Sequence, residues 1–186
     1  PGKALLDFRD LHLSDLNADV KNLRVRGDST VLEINDVRFG ESKGFHVRSM
    51  KSDLTLARKE ILFGDLFMNL DSSIINAGQV LLSGHESEGF RNFNENVRLD
   101  IRLEKSLVSA SDLRYFLAAA GGLNEAVELS GKISGTVSDL NGRRIRVSFR
   151  DHTELSCDFD MSGLPDLKET FIHISIGNLK TNASDL

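Results

Sequence analysis

The stretch from Thr153 to Gly163 alternates strictly. Leu155, Cys157, Phe159 and Met161 are apolar, and Ser156, Asp158, Asp160 and Ser162 between them are polar. A period of two places the first set on one face of a strand and the second on the other. Gly163-Leu164-Pro165-Asp166 ends the run, because proline lacks an amide donor and restricts the residue before it. Most of the chain repeats this pattern of strand, turn and strand, with one apolar face each time. A β-dominated fold class follows: a long curved antiparallel sheet or solenoid with one or two short helices.

Short alternating runs fill the first third. Leu11 and Leu13 open it, followed by Leu23 and Val25, Leu32 and Ile34, and Val37 and Phe39. Gly27-Asp28-Ser29 and Gly40-Glu41-Ser42-Lys43-Gly44 carry turn chemistry. Phe45, Val47, Leu54 and Leu56 continue with a change of phase near Met50. Ile61, Phe63, Leu66, Met68 and Leu70 follow, with a slip at Gly64-Asp65 that reads as a bulge. A loose repeat links Phe8–Leu13, Ile34–Phe39 and Phe63–Met68: each reads apolar, any, Asp, apolar, any, apolar. This pattern fits either stacked strand units or the shared composition of alternating strands.

Val80 and Leu82 make another short strand, and residues 84–96 form the most polar loop. Val97, Leu99, Ile101 and Leu103 then alternate with Arg98, Asp100, Arg102 and Glu104. Residues 111–120 predict a helix. Ser111 caps it, Leu113, Phe116, Leu117 and Ala120 share a face, and Gly121-Gly122 stops it. Such a helix should lie on the sheet or close an open end. It separates sub-units of roughly 1–108 and 109–186 within a single β-rich segment. In the last third Leu129, Ile133 and Val137 alternate with small residues, and Asn141-Gly142 predicts a hairpin turn. Ile145, Val147 and Phe149, and later Ile172, Ile174 and Ile176, are further strand faces.

The composition removes several function classes. A net charge of −5, with no Trp and one Tyr, gives neither the basic footprint nor the stacking platform of a nucleic-acid binder. One cysteine excludes an internal disulfide and a Cys-rich zinc site. His12, His46, His85, His152 and His173 are scattered without metal-ligand spacing, so neither a metal nor a cofactor is expected. No Gly-x-Ser-x-Gly, phosphate loop or dinucleotide fingerprint is present, so no catalytic residues are assigned. Asp158 and Asp160 read as solvated acids on one face rather than a carboxylate dyad. No apolar run reaches the length of a membrane span.

Two residue sets remain as candidates. Leu99, Ile101, Ile133, Val137, Ile145, Val147, Leu155, Cys157, Phe159 and Met161 would form the wall of a hydrophobic groove, or equally a plain core. Arg143, Arg144, Arg146 and Arg150 would form a basic stripe, either paired with neighbouring acids or free to meet lipid phosphate. A soluble monomer rarely shows an apolar patch beyond about 300–600 Å². The summed apolar faces need a cover: a second sheet, the 111–120 helix, neighbouring units or acyl chains.

The phrase Leu129-Ser-Gly131-Lys-Ile133-Ser-Gly135-Thr-Val137-Ser-Asp139-Leu140 resembles one that recurs in large TamB-like and AsmA-like envelope proteins of the Bacteroidetes type. Gly163-Leu164-Pro165-Asp166, Ser111-Asp112-Leu113 leading to Phe116, and Thr181-Asn182-Ala183-Ser184-Asp185-Leu186 are similar in the same way. The resemblance implies a sheet folded lengthwise into a trough with an apolar interior, a β-taco. It implies a non-enzymatic, periplasmic segment of a larger parent anchored in the bacterial inner membrane. It further implies phospholipid transport, outer-membrane assembly and an outer-membrane barrel protein as partner. The residues alone leave open a second class, a structural or adhesive β-solenoid module with a filled core.

Overall fold

The computed structural model describes residues 12–42, 44–85, 89–113, 115, 125–150, 152–164, 166 and 169–182. The protein is mostly β: the described residues form ten antiparallel strands in one open sheet and two short helices. In chain order these are β1 (Leu13–Arg26), β2 (Ser29–Glu41), β3 (His46–Leu56), β4 (Glu60–Leu70), β5 (Ile74–Ser83), α1 (Phe93–Asn96), β6 (Arg98–Ser109), α2 (Ala110–Leu113), β7 (Ala126–Thr136), β8 (Asp139–Phe149), β9 (Thr153–Ser162) and β10 (Phe171–Lys180). Each strand pairs with its neighbours in sequence, so among the described strands β1 and β10 stand outermost.

Residues directly opposite in an antiparallel pair have their side chains on one face. The register therefore converts each strand's alternation into rows that cross the sheet. One row runs Leu32, Leu54, Phe63, Val80, Ile101, Ile133, Gly142, Phe159 and Ile174, from β2 to β10. A parallel row runs Leu56, Ile61, Leu82, Leu99, Gly135, Leu140, Met161 and Ile172. Between them, on the opposite face, lie Asp100, Ser134, Asn141, Asp160 and His173. One face is apolar across the sheet and the other is more polar, with Val31, Leu62, Phe67, Ile74, Leu81 and Leu107 as apolar exceptions on β2 and β4–β6.

The even-numbered strands share a further feature. Each has one more residue than a neighbour over a short stretch near its middle: β2 between Ile34 and Val37, β4 between Gly64 and Phe67, β6 between Leu103 and Ser106, β8 between Gly142 and Ile145, and β10 between Ile176 and Asn178. Asp65 and Arg144, at two of these bulges, have φ of 46° and 54°. The expected slip at Gly64-Asp65 is thus a bulge. The aspartates of the repeated phrase, Asp36 and Asp65, fall at bulges of β2 and β4. The first copy lies largely outside the described residues.

A bulge bends its strand and raises its twist. The deepest apolar burial in the body of the sheet follows this line: Ile34, Leu66, Ala77 and Ile145 are all buried. The described strands form a single layer, so neighbours on the same face must close over these residues. The bulges mark the crease of the apolar face.

Both rims are laced sideways. At one rim Gly84 N donates to Lys59 O, Ser138 N to Asn94 O, and Gly163 N to Ser138 O. Hence the 84–96 loop is tied down where it is described, and its Phe93–Asn96 portion is the helical turn α1. At the other rim Ser72 N donates to the Asp112 carboxylate at 3.0 Å, and Tyr115 Oη donates to Gly44 O at 2.7 Å. Phe45 and Tyr115 meet edge to face at 5.6 Å within a core of Val47 and Leu70.

Two local expectations are corrected. The β7–β8 turn is at Val137-Ser138, whereas Asn141 and Gly142 sit inside β8. Ser109, rather than Ser111, caps α2, its hydroxyl accepting from Ser111 N at 3.3 Å. Phe116, Leu117, Ala120 and the Gly121-Gly122 stop lie outside the described residues.

Candidate functional site: an apolar sheet face

Nine of the ten wall residues expected from sequence lie on β6–β9. The register brings them together. Ile101 faces Ile133, Ile145 faces Cys157, Val147 faces Leu155, and Met161 and Leu99 lie in the second long row. Leu155, Cys157 and Phe159 follow one another along β9. Val137 does not belong with them: it sits in the β7–β8 turn, half-buried, because the strand ends at Thr136.

Ile145 is the deepest of the set, 4% exposed, while the other eight strand members are half-buried. Half-burial on the apolar face of a single layer means partial contact with solvent rather than enclosure in a dry core. A packed sandwich would bring a second sheet against these rows, and every described strand belongs to the same sheet.

Gly142 shapes this wall. A Cβ there would stand 2.1 Å from Phe159 Cε1, so the ring lies across the bare backbone of β8. Glycine in a strand marks a close approach of this kind. The ring is laid along the face instead of standing up from it.

Cys157 is half-buried on the same face. Burial, with the Asp158 charge adding to it, pushes its thiol above the usual range. The thiol form is a small hydrophobe, and the nucleophilic thiolate is disfavoured.

The basic stripe divides into separate contacts. Arg143 pairs with Asp160 and also donates to Phe159 O at 2.8 Å. Arg150 pairs with Glu125 and lies over the Phe149 ring at 4.9 Å. Arg144 is the β8 bulge residue, its backbone N donating to Asp158 at 2.6 Å, and its side chain is exposed. Arg146 is exposed and faces Ser130 and Ser156 on the polar face. The bulge takes Arg144 out of phase with Arg143 and Arg146. Asp158 and Asp160 are thus held by β8 donors rather than by each other.

Elsewhere, a wide depression of about 570 Å³ on β1–β3 is lined by Asp15, Arg38, His46, Arg48 and Asp71 among others. Its basic side chains have local partners: Arg48 pairs with Asp71 and Arg38 with Asp36, and His46 Nδ1 lies 2.8 Å from Asp71. Among the described residues no group of three or more His, Cys, Asp or Glu could hold a metal ion, and no helix is long and apolar enough to cross a membrane.

Sequence reasoning missed the Asp112–Ser72 and Tyr115–Gly44 clamps. The one available signal was a lone tyrosine in a chain whose other aromatics are phenylalanines, since a buried phenol needs a partner for its hydroxyl. No family model, curated protein or solved structure matches the chain.

Proposed function

We propose that this protein is a non-enzymatic segment of a TamB/AsmA-like envelope protein, and that its apolar face is part of a hydrophobic groove carrying phospholipid acyl chains. One observation carries the reading: apolar rows cross one face of a single-layer sheet, from β2 and β3 to β10, with the Phe159 ring lying over the gap at Gly142. A groove of this kind needs no polar pocket and no catalytic group. Each CH₂ transferred from water to the face gains about 0.8 kcal/mol, which holds an acyl chain firmly and releases it without chemistry. In this reading the parent is anchored in the inner membrane and spans the periplasm, and an outer-membrane barrel protein of the assembly machinery is its partner.

The alternative, a structural or adhesive solenoid with a filled core, has the Phe45–Tyr115 cluster in its favour. Among the described residues that cluster covers one end of the face, on β2–β5. Gentle purification from a bacterial host, followed by solvent extraction and mass spectrometry, separates the two. The groove reading expects near-stoichiometric phospholipid, lost on Val147→Asp. A stable monomer that neither carries nor takes up lipid or detergent overturns it.

A further inference from the structure

We propose that a line of polar doublets is a bending device: it curves this sheet around its apolar face, and the face holds acyl chains only while it is so curved. The second half rests on the groove reading, and the first does not. Along a regular strand the members of one face stand two residues apart. Several strands break this rule once, with two residues between successive members of the apolar face. The doublets are Asn35-Asp36 in β2, Gly64-Asp65 in β4, Gly78-Gln79 in β5, Glu104-Lys105 in β6, Arg143-Arg144 in β8 and Gly177-Asn178 in β10. Every member is charged, an amide or a glycine.

All the doublets adjoin one row of the apolar face, formed by Ile34, Leu66, Ala77, Leu103, Ile145 and Ile176. The extra residue stands on the outer face each time. A sheet longer on one face than on the other bends toward the shorter one, and bulges and glycine kinks are the means of such curvature. Burial shows the same bend. Ile34, Leu66, Ala77 and Ile145 are buried although the described strands form one layer. A flat layer would leave this row as open as its neighbours. A bend brings the neighbouring rows over it.

Side chains are in place for backbone groups that the doublets release from the ladder. The Ser52 hydroxyl donates to Gly64 O at 2.8 Å. The Ser106 hydroxyl accepts from Asn76 N at 2.8 Å and lies 3.0 Å from Glu104 O. Both serines are buried. In β8 the Arg144 amide donates to the Asp158 carboxylate. A bulge supported in this way is a fixed feature of the sheet rather than a slip in pairing.

A doublet can be cut without flipping a side chain. Deleting Asn35, Asp65 and Gly78 restores strict alternation at this row in β2, β4 and β5, whereas a deletion elsewhere turns the rest of a strand to the wrong face. Spin labels at Ser42→Cys and Arg58→Cys, in a Cys157→Ser background of the 186-residue chain, flank β3, which keeps its length in the deleted chain. The distance between them, read by pulsed electron resonance, is expected to lengthen as the sheet flattens. Phospholipid recovered per chain is expected to fall several-fold. An unchanged or shorter distance overturns the proposal, and full lipid retention in a flattened chain overturns its second half. A longer distance where the wild type carries no lipid supports the bend and overturns the groove reading. Should the deleted chain fail to fold, Asp65→Val and Asp65→Gly decide by the same distance. Asp65 has φ of 46°, which glycine adopts freely and a β-branched residue does not. Lengthening in the valine chain alone is expected, and equal distances in the two overturn the proposal.

Discussion

Single residues decide how the rows meet. At Gly135 φ is +116°, and a Cβ would stand 2.1 Å from the Asp139 carbonyl oxygen. An L side chain is strained there by its backbone alone, and the contact is with backbone that closes the β7–β8 turn. Gly135→Ala should lower stability by about 1–3 kcal/mol in urea unfolding. Asp36 is a different case. The Ser49 hydroxyl, donating at 2.6 Å, holds its carboxyl below the usual range; burial opposes this and Arg38 adds to it. A depressed folded-state pKa gives stability above the unfolded value that is lost as pH falls through the folded one. Ser49→Ala should therefore cost about 0.5–1.5 kcal/mol at pH 7. The gap to wild type should close in acid as Asp36 protonates in both proteins, which urea melts at the two pH values would show.

Elements were legible where the period of two is strict and obscure where it slips. Leu99–Leu103 and Leu155–Met161 fell on strands because alternation has no other regular home. The Asn141-Gly142 pair misled, since the same dipeptide that suits a tight turn also suits a strand over which a phenylalanine ring must lie. Val137 was misplaced in consequence. Its apolar side chain continues the pattern of β7, but the chain has already turned. Arg144 was placed in line with Arg143 and Arg146 because a bulge residue has no signature in a run of arginines. The Asp112–Ser72 clamp has no signature in the sequence, since the two residues are 40 apart. Asp112→Ala would remove the buried side chain that accepts from the Ser72 amide and should cost about 1–3 kcal/mol. Hydrogen exchange should show the loss first at Ser72 and Ser73, with β8 and β9 unaffected. Uniform loss of protection across the sheet would mean instead that the clamp is not local.

At the scale of the whole molecule, strands β2 to β10, each marginal alone, carry two rows of alternation that make one wall. The crease follows from bulges repeated on strands that run in one direction, and the repeated aspartate phrase was a partial trace of it. Why the wall stays open was not legible, because alternation is common to a single-layer trough and a sandwich. The central claim is that one face of this sheet receives acyl chains and the other does not. Ile101 and Arg102 are adjacent on β6 and point to opposite faces. A bimane fluorophore attached at Ile101→Cys or at Arg102→Cys, each in a Cys157→Ser background, reads the two faces separately. With phospholipid brominated along its acyl chains, the account predicts strong quenching at position 101 and little at position 102. Equal quenching at both, or none at 101 under conditions where lipid is bound, would contradict it.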